Sequence, residues 1–336
     1  MVEITRRVII LEKTNLEFEN EGVFNPAVIA EGHTIHLFYR AVSKGNHSTI
    51  GYCRLDAPTS VAERYAYPVI IPEYDYERHG VEDPRIVKID DLFYLTYTAY
   101  DGLNALGALA ISSDLKTFLK VGIVAPQINH KEFQRMVKSA PKVTSKYFRF
   151  DQCSEQLWDK NVVFFPRRIN NKLVFLHRIR PGIQLVSVDK LEQLTTAFWN
   201  DYFLNFSDHI VLDPHYEHEL SYIGSGCPPI ETDAGWLLIY HSVQDTMEGY
   251  IYQACAALLD RDEPTIEIAR LPYPLFGPEK EWEISGEVNN VCFPTGAILL
   301  DGELYIYYGA ADERIACASV KLSDLIAELL KNTSKS

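Results

Sequence analysis

Five side chains that can carry charge close comparable stretches of the chain: Arg40, Asp101, Arg178, His241 and Asp312. Each follows an aromatic-rich alternating run, as in LFYLTYTAYD up to Asp101 and ELYIYYGAAD up to Asp312. Carboxylates alongside cations suit glycosyl transfer to or from an anion. A carboxylic acid assists departure of the leaving sugar, while cations hold a nucleophile opposite and offset its charge. The 20 Tyr and 16 Phe residues fit the same chemistry, because aromatic faces match the apolar faces of sugar rings. Other chemistries lack their marks. There is no Ser-His-Asp order, no Gly-rich phosphate loop and no HExxH, and the ten histidines show no zinc spacing, so no metal is expected.

The elements that must position these residues form a repeat. Five segments share one grammar: a proline (Pro26, Pro84, Pro166, Pro229, Pro294), a short apolar strand, a turn, and a returning aromatic strand through Tyr39, Tyr97, His177, Tyr240 and Tyr308. The turns are Glu31-Gly32, Asp90-Asp91, Asn170-Asn171, Asp233-Ala234-Gly235 and Asp301-Gly302, residues that tolerate the positive φ of tight hairpins. A third strand trails each hairpin and ends at Asp56, Asp114, Asp189, Asp260 or Asp324. Such a unit has two open edges and needs neighbours on both sides, which a closed ring supplies. The prediction is an all-β fold: a five-bladed β-propeller with a short C-terminal helix, one domain over residues 1–336, with blade hairpins near 25–56, 83–114, 165–189, 228–260 and 293–324. The terminal helix is placed over 321–331 and a second short helix over 188–199. Strand ends from five blades would then aim unlike ionisable groups at one axis. The EDPR run at 82–85 reads equally as a structural clamp or as part of the site; Asp83 is counted with the sugar-binding residues.

Composition narrows the partners. A net charge of −14 excludes the basic stripe of a nucleic-acid binder. No stretch approaches the roughly 18 apolar residues of a membrane span, and the N-terminal run is too short for a secretory signal. A cytoplasmic protein with no membrane partner is expected. The six cysteines have no paired spacing and read as buried free thiols. Residues 129–149 carry six Lys/Arg against one Glu; they read as a solvated loop or surface helix, or as a lid or oligomer contact. With the terminal helix they leave a homo-oligomer open.

At these residues the sequence resembles glycoside hydrolase family 130, the β-mannoside phosphorylases and related β-mannosidases. The resemblance is carried by EDPR at 82–85, TAYD at 98–101, NVVFFPRRINNKLVFLHR from 161, GSGCPPIETDAGWLLIYH from 224, the YxxxAALLD run ending at Asp260, and YYGAAD at 307–312. It implies a five-bladed propeller and inverting phosphorolysis of β-1,4- or β-1,2-linked manno-oligosaccharides, giving α-mannose 1-phosphate and a shortened acceptor. Asp101 would be the general acid, passing its proton through the 3-hydroxyl of the mannose. Tyr100 and Asp312 would line the mannose subsite, and Arg40 joins them from its place in the repeat. Phosphate would be held by Lys160, Arg178, His241 and Tyr252, with inorganic phosphate as co-substrate and no other cofactor. Two positions depart from the family pattern: Lys160 stands where an Arg is expected, losing the bidentate fork, and Tyr222 stands where a Lys is expected. A hydrolase with Glu217 or Glu219 activating water is the alternative, followed by a non-catalytic mannoside-binding propeller. Phosphorolysis is favoured.

Overall fold

Strands make up nearly all regular structure in the computed structural model, which describes residues 2–138, 143–149 and 155–333. The fold is all-β with few helices. In chain order the strands are β1 (Arg6–Leu11), then β2 (Gly22–Glu31), β3 (Thr34–Ser43), β4 (His47–Ala57) and β5 (Ser60–Arg64). Next come β6 (Gly80–Ile89), β7 (Leu92–Tyr100), β8 (Ala105–Ser112) and β9 (Leu119–Ile123). Helix α1 (His130–Val137) precedes β10 (Lys160–Phe164), β11 (Leu173–Arg178) and β12 (Ile183–Val188). After α2 (Thr196–Leu204) follow β13 (Ile210–Leu212), β14 (Tyr222–Ser225), β15 (Ile230–Thr232), β16 (Gly235–Thr246), β17 (Gly249–Leu259) and β18 (Glu267–Arg270). The last elements are α3 (Glu281–Ile284), β19 (Cys292–Leu300), β20 (Glu303–Ala310), β21 (Arg314–Lys321) and α4 (Leu322–Leu330).

The strands form five antiparallel units in sequence order, β2 to β5, β6 to β9, β10 to β13, β14 to β18, and β19 to β21. The first two share one sheet through a single parallel pairing, Ser48 with Gly80. The fifth takes its outer strand from the N-terminus, since β1 pairs with β21. Hairpin turns behave as their residues require: Asn170 and Asn171 both have positive φ (50° and 63°), as do Asp301 and Gly302 (50° and 79°).

Alternate residues of each strand feed the two sides of its sheet. In β16, Leu237 and Ile239 enter an apolar cluster shared with unit five, while Leu238 and Tyr240 enter one shared with unit three. Further clusters join units one and two (Phe38, Tyr52 with Leu95, Tyr97), units two and three (Val87, Leu109 with Phe164, Phe175), and units five and one (Tyr307, Ile315 with Leu37, Tyr39). Both faces of every sheet are therefore buried, which explains the near-continuous apolar runs.

A second repeated device anchors each unit. A buried acid in the segment entering the unit accepts from a side chain on the second strand: Glu19 from Tyr39 Oη (2.7 Å), Glu77 from Tyr97 (2.5 Å), Glu219 from Tyr240 (2.5 Å) and Glu283 from Tyr308 (2.7 Å). In unit three Asp159 pairs with His177 at 2.6 Å. In three units a cation of the outermost strand completes the group: Arg64 on Glu19 (2.8 Å), Lys120 on Glu77 (2.6 Å) and Arg270 on Glu219 (3.2 Å). A buried carboxylate without such partners would cost several kcal/mol.

Three expectations shift. No proline of the repeat opens its inner strand: Pro26, Pro84 and Pro294 lie inside β2, β6 and β19, Pro166 follows β10, and Pro229 lies between β14 and β15. The helix expected over 188–199 splits into a 3-10 turn at Leu191–Gln193 and α2 at Thr196–Leu204. The Thr195 side chain accepts from Phe198 N–H and so starts the helix there. The basic segment contains α1, which docks its Phe133 edge-on against Phe203 and Phe206; residues 139–142 within it lie outside the described residues. The terminal helix appears as α4, as expected. Cys53, Cys227, Cys255, Cys292 and Cys317 are buried free thiols, and Cys153 lies outside the described residues. No helix among the described residues is long and apolar enough to cross a membrane.

Candidate active site

Three inner strands carry the same irregularity. Asn25, Asp83 and Asn161 adopt left-handed φ values of 50°, 50° and 58°, each at a register shift in its strand. Asn and Asp tolerate this conformation better than other non-glycine residues, and the bulge re-aims their side chains. All three point into one cavity of about 210 Å³. Close backbone approaches make room for two of them. A Cβ on Gly309 would sit 2.1 Å from Asn25 Oδ1, and one on Gly224 would sit 2.8 Å from Asn161 Oδ1 and 2.5 Å from His241 Cε1.

One wall of the cavity is acidic and internally paired. Arg40 Nη2 donates to Glu82 Oε1 at 2.8 Å, its Nη1 lies 3.5 Å from Asp83 Oδ1, and its Nε donates to Ser48 Oγ at 2.9 Å. Asn25 Nδ2 donates to Asp83 Oδ1 at 2.7 Å. Burial pushes the Asp83 carboxyl up, but Arg40, Arg85 and Lys160 outweigh it and hold the group below the ordinary value. Asp312 follows β20 in a left-handed pair with Ala311 (φ 50° and 49°), which turns its carboxylate into the same cavity. Burial, reinforced by Asp83 and Glu82 against the pull of Arg40, raises its pKa to about 6. Asp312, Arg40 and Val288 also line an adjoining cavity of about 360 Å³ with Phe24, Asn46 and Glu287.

The opposite wall is cationic. Lys160, Arg178 and Arg180 line it with Tyr222 and Tyr252. Lys160 Nζ lies 3.7 Å from Glu82 Oε2, joining the two walls. Arg178 is buried and no carboxylate among the described residues pairs with it; burial and the neighbouring Arg180 lower its pKa to about 10. Its Nη1 donates to His241 Nε2 at 3.5 Å. His241 sits fully buried behind the wall, stacked on Phe293 at 4.3 Å, and burial with the charges of Arg178, Arg85 and Arg180 keeps it neutral, far below its usual pKa. The buried Arg178 Nε, His241 Nδ1, Asn25 Oδ1 and Asn161 Oδ1 have no hydrogen-bond partner among the described residues. Unsatisfied buried polar atoms are rare in folded proteins and cluster where a ligand completes them.

The expected site residues divide among these places. Arg40, Asp83, Lys160, Arg178, Tyr252 and Asp312 meet in the cavity. His241 stands one layer behind it. Tyr100 ends β7 and Asp101 opens the loop after it, both outside the residues lining that cavity. Asp101 Oδ1 accepts from the N–H groups of Leu103 (2.8 Å) and Asn104 (2.6 Å), and Oδ2 from Asn104 Nδ2 (2.9 Å). Partial burial raises its pKa, and these bonds with Arg78 outweigh that, holding the carboxyl below the ordinary value. Tyr100 Oη donates to Gly102 C=O at 3.0 Å. The loop is tied to the cationic wall through Trp158, whose Nε1 donates to Leu103 C=O at 3.0 Å and whose ring carries Lys160 Nζ at 5.2 Å.

The five strand-end groups are not in one register. The residues following the anchoring Tyr39, Tyr97, His177, Tyr240 and Tyr308 are Arg40, Thr98, Arg178, His241 and Gly309; Asp101 and Asp312 lie three residues further on, in loops. The EDPR run splits by role. Arg85 clamps units two and four, donating to Asp83 C=O (2.6 Å) and Gly226 C=O (3.1 Å), while Asp83 faces the cavity. Asn25, Asn161 and Arg180 were not foreseen. The first two are Asx residues within the inner strands β2 and β10, and Arg180 lies two residues beyond Arg178, in the turn after β11. The water-activating role of Glu219 fails, because its oxygens are committed to Tyr240, Arg270 and the N–H groups of His215 and Tyr216. Among the described residues no group of three or more His, Cys, Asp or Glu side chains could hold a metal ion.

Known proteins share both the sequence and the shape. The chain is 33% identical over 322 residues to a β-1,2-mannobiose phosphorylase of Thermoanaerobacter sp. (strain X514), covering 91% of this chain and 92% of that one. A 1,2-β-oligomannan phosphorylase of the same organism is 31% identical over 339 residues, covering 97% and 99%. The solved structure of a β-1,2-mannobiose phosphorylase from Listeria innocua has the same fold, with a TM-score of 0.71 over 92% of each chain at 24% identity. A family model described as β-1,4-mannooligosaccharide phosphorylase matches residues 1–331, and the chain belongs to glycoside hydrolase family 130.

Proposed function

We propose that this protein catalyses inverting phosphorolysis of β-mannosides. Phosphate attacks C1 of the terminal mannose from the face opposite the leaving oxygen. The C1–O bond to the acceptor breaks as the new C1–O–P bond forms, and the leaving oxygen takes up a proton. The products are α-mannose 1-phosphate and a shortened acceptor. Relatives at 31–33% identity named for β-1,2-linked substrates support the β-1,2 linkage as the first to test.

The observation that carries phosphorolysis over hydrolysis is the make-up of the cationic wall. Arg178, Arg180 and Lys160 converge there; of the two acids that would have activated water, Glu219 is fully committed to the scaffold and Glu217 is exposed, outside the residues lining the cavity. Fixed guanidinium groups orient phosphate and offset its charge. In this reading Lys160, Arg178 and Tyr252 hold the phosphate, and His241 positions Arg178 from behind. Arg40, Asp83, Tyr100 and Asp312 hold the mannose, and Asp101 supplies the proton through the mannose 3-hydroxyl. That step requires the Asp101 carboxyl to take up a proton when sugar displaces its bonds to Leu103 and Asn104, because those bonds favour the ionised form.

The architecture we propose is one domain, a five-bladed propeller. The five inter-unit apolar clusters support it, the last returning from unit five to unit one. A location in the cytoplasm is proposed with it. The deciding experiment supplies β-1,2- and β-1,4-mannobiose with and without inorganic phosphate and separates free mannose from mannose 1-phosphate. Phosphate-dependent release of the 1-phosphate supports the proposal; equal release of free mannose in phosphate-free buffer ends it.

A further inference from the structure

Arg180 has no role in what has been expected of the sequence, yet it occupies the mouth of the anion-holding wall. Its Cζ lies 4.1 Å from the centroid of the Tyr222 ring, and Arg178 Cζ lies 5.1 Å from the same centroid. Two guanidinium groups thus share one aromatic ring. That ring is itself fixed: Tyr222 Oη and Tyr252 Oη are 2.6 Å apart. The loop carrying Arg180 is lashed to β14, because Ile223 N–H donates to Pro181 C=O at 2.9 Å. A planar guanidinium on an aromatic face keeps its N–H edge directed and loses little freedom when that edge is engaged. Two like charges gathered beside Lys160 repel one another, and a dianion between them reverses the sign of that energy.

We propose that Arg180 is a phosphate-holding residue of this site, positioned by the Tyr222 ring, so that a stacked guanidinium from unit three completes the cationic wall. The assignment rests on the phosphorolysis reading and adds a member to its anion site. A purely structural stack would make a different prediction, since it would affect both substrates through the fold.

The test measures KM for phosphate and for β-mannobiose separately in Arg180→Ala, Arg180→Lys, Tyr222→Leu and the double variant Arg180→Ala/Tyr222→Leu. A charge-assisted contact to phosphate corresponds to a rise of roughly ten- to hundredfold in the phosphate KM on removal. Arg180→Ala should show that rise with the mannoside KM changed far less, and Arg180→Lys should recover part of it. Tyr222→Leu should raise the phosphate KM as well, and the double variant should fall short of the product of the two single effects, since the ring acts partly through Arg180 and partly through Arg178. An unchanged phosphate KM in Arg180→Ala, or an equal rise in both KM values, overturns the assignment. Thermal protection by inorganic phosphate is measured in parallel on the same full-length proteins. Wild-type protection that weakens tenfold or more in Arg180→Ala, or in Arg180→Lys should the alanine variant not fold, supports the assignment even if mannobiose is cleaved without phosphate; that pattern would sink only the phosphorolysis reading. Absence of phosphate protection in the wild type overturns the assignment itself.

Discussion

The two walls of the cavity are made of similar numbers of charges and treat them oppositely. On the acidic side, Glu82, Asp83 and Asp312 surround Arg40, and the group is mostly satisfied before any ligand arrives. On the cationic side, Arg178 is buried without a carboxylate partner among the described residues, and its pKa is lowered for that reason. A pre-paired wall suits a neutral ligand with many hydroxyl groups, which needs directed hydrogen bonds and no net charge. An under-compensated wall suits a dianion, which supplies what the protein withholds. The division follows the chain: the acidic wall comes from units one, two and five, the cationic wall from units three and four.

The largest expected effect comes from the group tied to the junction of the two walls. Asp101→Asn should lower kcat by about 10²- to 10⁴-fold if this carboxyl is the acid, with both KM values much less affected; a drop under tenfold would remove Asp101 from the chemistry. Next, the walls should separate kinetically. Arg178→Ala should raise the phosphate KM about tenfold to a hundredfold and spare the mannoside KM, and Asp312→Asn should do the reverse. Matching profiles for the two variants would mean that the division is not functional.

A third prediction concerns the frame rather than the site. Glu219→Ala leaves Arg270 and Tyr240 without their buried partner and should destabilise the protein by about 3–5 kcal/mol, seen as a fall in Tm. The phosphate and mannoside KM values of the surviving folded fraction should stay in their wild-type ratio. The smallest effect is a pH dependence. Asp312 has a pKa of about 6 against a reference of 3.8, so the folded state binds the proton more tightly than the unfolded one. Its contribution is favourable at low pH, fades as pH rises from about 4, and is fully lost above about 6. The Tm of Asp312→Asn minus that of wild type should therefore grow between pH 5 and pH 7. A constant difference would show that Asp312 is an ordinary carboxylate.

Much of the frame was legible because strands announce themselves by alternation and hairpins by their turn residues. Asp90, Asn170-Asn171 and Asp301-Gly302 do adopt positive φ, and the aromatic returning strands do align. The acids that anchor those aromatic residues went unread, although Glu19, Glu77 and Asp159 each stand seven residues before a proline of the repeat. A single charged residue in a polar loop gives no sign that it will be buried. The site was legible where charge directly follows the anchoring residue of the second strand, as at Arg40 after Tyr39 and Arg178 after His177. It was misjudged where loops extend beyond the strand, because loop length moved Asp101 and Asp312 out of the common register. Asn25 and Asn161 were invisible for another reason: uncharged residues reach the cavity only because a bulge turns them.

The pairing of β1 with β21 sets Val8 beside Cys317, so the last sheet cannot gain its outermost member from its own neighbourhood in sequence. Contacts between such distant positions are among the slowest to form, since the chain must first surrender the freedom of everything between them. Until residues 6–11 arrive, β21 presents an open row of backbone donors and acceptors, and a second molecule can supply the missing strand as readily as the first. A version lacking that segment should therefore self-associate, with light scattering that climbs with concentration.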